Sequence, residues 1–127
     1  MTVVRALVVD DNAINLELAA FVLRAQGFAV ECACSAVEAV ARTGTFRPDV
    51  ILMDIQMPDV DGLEAVRRLR GDPATRGVVV IAFTAYAMKG DEQKLRAAGC
   101  DGYIAKPIDI ASFGQTVRTI VEARAVT

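Results

Sequence analysis

The chain has 127 residues, 54% of them hydrophobic, which is enough apolar mass for one core, yet no run approaches the ~18 apolar residues of a membrane span. Net charge is −2, with acids and bases scattered rather than blocked, so neither a basic stripe for nucleic acid nor a polybasic membrane patch is present. Histidine is absent, which excludes Ser-His-Asp and Cys-His catalysis, histidine-ligated zinc and a phosphohistidine on this chain.

The opening Met1-Thr2-Val3-Val4-Arg5 shows no charged leader, apolar h-region or cleavage site, and predicts a cytoplasmic protein. Three cysteines, an odd and sparse set, fit reduced thiols. Cys32 and Cys34 lie two apart and read as small buried hydrophobes in preference to metal ligands or a redox pair.

Val3–Val9 is β-branched and apolar, and Asp10-Asp11-Asn12 follows. From Ala13 the spacing of Ile14, Leu18, Phe21, Val22 and Ala25 predicts a helix with that face buried, ended by Gly27. Phe28–Ala33 reads as a strand. Ser35-Ala36-Val37-Glu38 is a capping box for a helix running to about Thr43 and closed by Gly44. Pro48 precedes the strand Val50–Met53. Asp61-Gly62-Leu63-Glu64 is a second capping box, and Leu63, Val66 and Leu69 mark the buried face of the helix after it. Gly71–Gly77, with Pro73, is a loop before the strand Val78–Phe83. Asp91–Ala98 is a short helix ended by Gly99, Tyr103–Ala105 a fifth strand, and Asp109 the cap of a last helix with Phe113, Val117 and Ile120 on one face.

Strand and helix alternate five times with short links. Right-handed crossovers then give an α/β, doubly wound parallel five-stranded sheet covered on both faces, as one domain over residues 1–127. Such sheets place their sites at the carboxyl ends of the strands. There the sequence sets Asp10 and Asp11, Asp54, Thr84 and Lys106, each where an apolar run stops.

Three carboxylates crowded at one rim repel each other unless a cation joins them. Magnesium, or manganese, suits an all-oxygen set, with Asp11 and Asp54 as direct ligands, Asp10 acting through water and a backbone carbonyl just past Asp54. Asp54 then becomes a nucleophile for phosphoryl transfer, Lys106 and the metal each hold one phosphoryl oxygen, and Thr84 donates to a third. Taken singly these residues read more plainly: Asp10-Asp11-Asn12 as a solvated turn and helix cap, Asp54 as a loop-capping acid, Thr84 and Lys106 as surface. Four loops presenting the right residue types at the right strand ends argue for the site.

Val8-Val9-Asp10-Asp11-Asn12, Leu52-Met53-Asp54-Ile55-Gln56-Met57-Pro58, Phe83-Thr84-Ala85 and Lys106-Pro107-Ile108, in this order, resemble the response-regulator receiver domain of two-component signalling. Asp61–Glu64 and Ala97–Tyr103 extend the resemblance over essentially the whole chain, which implies the flavodoxin-like (βα)5 strand order 2-1-3-4-5. The resemblance further implies Asp54 as phosphoacceptor, Asp10, Asp11 and the Gln56 carbonyl as metal ligands, and Thr84, Lys106 and Tyr103 as the switch. It also implies a cis bond before Pro107. Tyr86–Glu92 and Gly102–Ile108 look like the stand-alone DivK type and like receivers fused to hybrid kinases, with Gln56 and Tyr86 at positions that tune phosphoryl lifetime.

The implied phosphodonor is a histidine kinase or histidine phosphotransfer protein. The implied output is binding to a protein target through a face including Met88, Lys89, Tyr103 and Ile110, with Ile104 and Ile108 assigned to core. The chain is expected to be a monomer, with dimerisation on phosphorylation left open. A phosphorelay intermediate or phosphate sink is the alternative. A magnesium-dependent phosphohydrolase is disfavoured because that chemistry wants a second acid where Gln56 stands. A nucleotide-binding module is disfavoured because the first loop lacks glycine.

Overall fold

A computed structural model describes residues 3–54, 62–73, 75–84, 91–105 and 108–126. Five strands and five helices alternate: β1 Arg5–Val9, α1 Ala13–Ala25, β2 Ala29–Ala33, α2 Ala36–Phe46, β3 Val50–Asp54, α3 Gly62–Gly71, β4 Val79–Thr84, α4 Asp91–Ala98, β5 Gly102–Ala105 and α5 Phe113–Val126. The strands form one parallel sheet in the order β2-β1-β3-β4-β5, the doubly wound arrangement expected.

The central strands are apolar run after run because both sides of each are covered. Leu7, Val9, Ile51, Met53, Val80 and Ala82 pack with Ala39, Phe46, Val66, Leu69 and Leu95 of α2, α3 and α4. Ala6, Val8, Leu52, Ile81 and Phe83 pack on the other side with α1 and α5. The Phe83 and Phe113 rings meet there at 5.9 Å, tying β4 to α5. Ile104 and Ile108 are partly buried against this second cluster, as core assignment required.

Of the face its spacing suggested, helix α1 buries only Val22. Ala19, Ala20, Val22 and Leu23 face the core, while Ile14 is 75% and Phe21 73% exposed and Leu18 also reaches solvent. The helix is apolar nearly all round, and the alanines let its backbone lie close to the sheet, where Ile14 and Phe21 would hold it away.

At α2, Ser35 caps as expected, its Oγ accepting from Glu38 N at 3.1 Å. Glu38 turns instead to the Cys34 thiol at 3.1 Å and to Arg42 Nε at 3.1 Å. The helix runs past Gly44 to Phe46 and ends on Arg47, whose φ of +53 supplies the left-handed cap. The expected glycine stop is overridden because Phe46 is buried and Arg5 Nε and Nη2 close on its carbonyl. Cys34 lies beyond β2 and is exposed, Cys32 is half-buried and Cys100 buried, all three free, so burial of both Cys32 and Cys34 does not hold. Glycine does close α1 and α4, at Gly27 (φ +93) and Gly99 (φ +112). Asp109 caps a turn, its Oδ1 accepting from Ala111 N, and α5 begins after it at Phe113. The Asp61 capping box lies outside the described residues.

Candidate functional site

Strand order places the topological switch between β1 and β3, since the chain leaves β1 toward β2 on one side and β3 on the other. Val9 pairs with Met53 in register, so the next residues, Asp10 and Asp54, sit side by side at the carboxyl end. Asp54 is the last residue of β3, beside Phe83 of β4. It is 2% exposed and Asp10 1%, whereas Asp11 is open to solvent. One carboxylate oxygen from each of Asp10, Asp11 and Asp54 falls within 4.8 Å of the others.

Local bonding holds this corner. Asp10 N donates to Ala33 O at 3.1 Å, fastening the loop to β2. Asp10 Oδ1 accepts from Asn12 N at 2.9 Å. Asn12 Oδ1 in turn accepts from Ile14 N and Asn15 N at 2.9 and 3.1 Å, capping α1. The turn-and-cap reading of Asp10-Asp11-Asn12 is therefore realised in Asp10 for the turn and Asn12 for the cap. Octahedral ligands at ~2.0–2.1 Å from an ion stand roughly 3–4 Å apart. The three acids are hard oxygen donors close to that spacing, and they fit a magnesium-type ion.

Thr84 ends β4 at the same rim. Gln56, Tyr86, Met88, Lys89, Lys106 and Pro107 lie outside the described residues, so the metal carbonyl, the lifetime positions, the lysine, the cis bond and part of the partner face do too. Tyr103 on β5 and Ile110 before α5 are both exposed. The residues whose surroundings the sequence misplaced are Ile14, Leu18 and Phe21. They form an apolar stripe on the solvent side of α1, directly after the acid loop. The signal was an apolar helix with more oily positions than one face can bury.

A profile of the response regulator receiver domain matches residues 6–118. The chain belongs to that family. It is 42% identical over 113 residues to the polar-differentiation response regulator DivK of Brucella anthropi, covering 89% of this chain and 92% of the relative. A chemotaxis response regulator of Vibrio cholerae superposes with a TM-score of 0.88 at 27% identity, over 94% of this chain and 99% of that one. The receiver domain of a Pseudomonas aeruginosa sensor histidine kinase, with magnesium coordinated in its active-site cleft, gives 0.84 at 32% identity, over 95% and 99%. Receiver domains are signalling proteins whose acidic pocket binds Mg²⁺, and this chain carries a cluster of three acids, Asp10, Asp11 and Asp54. Among the described residues no helix is long and apolar enough to cross a membrane.

Proposed function

We propose that the protein is a single-domain response regulator, residues 1–127, which takes a phosphoryl group onto Asp54 from the phosphohistidine of a sensor kinase or phosphotransfer protein. The observation that carries this is the convergence of Asp10, Asp11 and Asp54, delivered by two adjacent strand ends. A bound Mg²⁺ or Mn²⁺ would neutralise the acids and the phosphoryl oxygens they face. Asp10, Asp11, Asp54 and the Gln56 carbonyl are the residues to hold it.

An Asp54 oxygen attacks phosphorus. The phosphorus–nitrogen bond breaks, its electron pair stays on the donor imidazole, and an acyl phosphate forms on β3. Lys106 balances the added charge and Thr84 supplies a hydroxyl donor. The exposed α1 stripe beside the acid loop gives a phosphodonor an apolar landing. The phosphorylated form then binds a partner protein through Met88, Lys89, Tyr103 and Ile110, and external substrate is not turned over. The protein works in the cytoplasm, as a monomer that dimerisation can modify. A phosphorelay role is the second reading, favoured by the likeness to a receiver carried within a sensor kinase.

The test is intact-protein mass after incubation with Mg²⁺ and a small acyl phosphate. Gain of one phosphoryl group, abolished by EDTA and by Asp54→Asn, is expected. No gain in a protein that demonstrably binds Mg²⁺ sinks the proposal.

A further inference from the structure

At the amino end of the sheet, opposite the acid cluster, one guanidinium ties several segments together. Arg70, in the last turn of α3, donates from Nε to Gly99 O at 2.9 Å and from Nη2 to Asp101 Oδ2 at 2.7 Å. Its Nη1 donates to Arg76 O at 2.7 Å and Val78 O at 2.5 Å. The same Asp101 oxygen accepts from Val80 N at 2.9 Å, and Asp101 N donates to Val80 O at 2.7 Å. Both side chains are largely withdrawn from solvent. Gly99 has a left-handed φ, and a Cβ there would stand 2.7 Å from Arg70 Cγ, so glycine is required by conformation and by space.

Every backbone group held in this way belongs to the α3–β4 loop, the start of β4 or the link that leaves the carboxyl end of α4. The described helix α4 residues 93–98 bury only Leu95 and Ala98 against the core. The helix is therefore short and, over residues 93–98, lightly packed; the link after its carboxyl end is fastened firmly, and in the chain its amino end comes after the rim where β4 stops at Thr84. A planar guanidinium bonded to four acceptors cannot turn without breaking several bonds together.

We propose that Arg70 and Asp101 are positioning residues that make the carboxyl end of α4 a fixed pivot. A change at the rim then reaches the surface as a swing of the amino end of α4, with residues 99–102 stationary. This rests on the phosphoacceptor reading of Asp54.

Hydrogen exchange of the full chain, before and after acyl-phosphate treatment in Mg²⁺, tests it. In the wild type the amides of residues 91–94 change severalfold on phosphorylation while those of 99–102 do not. Arg70→Lys keeps a charge but not the fork, and Asp101→Asn keeps the shape but not the charge. With full phosphoryl gain by mass, the phosphorylation-dependent change spreads into 99–102 in either variant, and Asp101→Asn decides if Arg70→Lys fails to fold. Wild-type residues 99–102 moving as much as 91–94, or variants keeping the wild-type pattern, overturns the pivot alone. No phosphoryl gain in the wild type removes the reading beneath it, and the pivot with it.

Discussion

Asp54→Asn reads the acid cluster most directly when no metal is present. Asp54 shares its corner with Asp10 and Asp11, with oxygens of all three within 4.8 Å. Two unit charges at that distance repel by ~3.5 kcal/mol at an effective dielectric of ~20 and by ~0.9 kcal/mol at ~80. Buried Asp10 lies toward the first limit and exposed Asp11 toward the second, so asparagine relieves about 4 kcal/mol of gross repulsion. Screening, relaxation and the loss of the favourable contacts the Asp54 carboxylate makes leave roughly half, a net stabilisation of ~2 kcal/mol. For a domain of this size that raises Tm by roughly 6–10 °C. Thermal unfolding in EDTA, followed by circular dichroism, measures it. Added Mg²⁺ at ten times its Kd stabilises the wild type by ~1.4 kcal/mol. The variant, with one anionic ligand fewer, gains less, so the gap narrows as the ion is added. A variant less stable than wild type in EDTA, or a wild-type Tm indifferent to Mg²⁺, would show that the three acids do not form a cation site.

Two further outcomes follow from burial. Phe21→Ser should change stability by less than about 0.5 kcal/mol, because that ring lies in solvent, whereas Leu23→Ala, two positions on, should cost ~2–5 kcal/mol; urea unfolding of the two variants separates them, and a large loss at Phe21 would return it to the core. Burial pushes the Cys100 thiol up to about 11 from an ordinary value of 9.0. Its raised folded value means the stability is fully present below pH 9 and lost as pH rises through 11, a fall of ~3 kcal/mol. Guanidinium unfolding under reducing conditions between those pH values should show this slope in the wild type and a shallower one in Cys100→Ala; equal slopes would mean the thiol is not the cause.

Much of the candidate site could be read along the chain because the relevant physics is local. Asp54 and Asp10 each end an apolar strand, and a polar residue at that point must sit at a sheet end whatever the rest of the fold does. The adjacency of β1 and β3, implied by the receiver resemblance and present in the sheet, brings the acids together. The Ser35 cap and the glycine turns at Gly27 and Gly99 were legible for the same reason, since each depends on residues within one turn of itself.

The sequence by itself determined the alternation of strands and helices and the acids at the ends of the first and third strands, which rest on periodicity and short links, while the strand order and the receiver family came from the likeness of its ordered motifs. Tertiary structure decided which face of α1 is buried. A helix apolar on every side has no preference of its own, and the sheet takes Ala19 and Ala20 because small residues allow close approach. It also extended α2 beyond Gly44, where burial of Phe46 and the Arg5 contact to its carbonyl outweigh a local stop signal. It alone created the Arg70–Asp101 clamp, whose partners stand some thirty residues apart and meet because the ends of α3 and α4 converge at the same edge of the sheet.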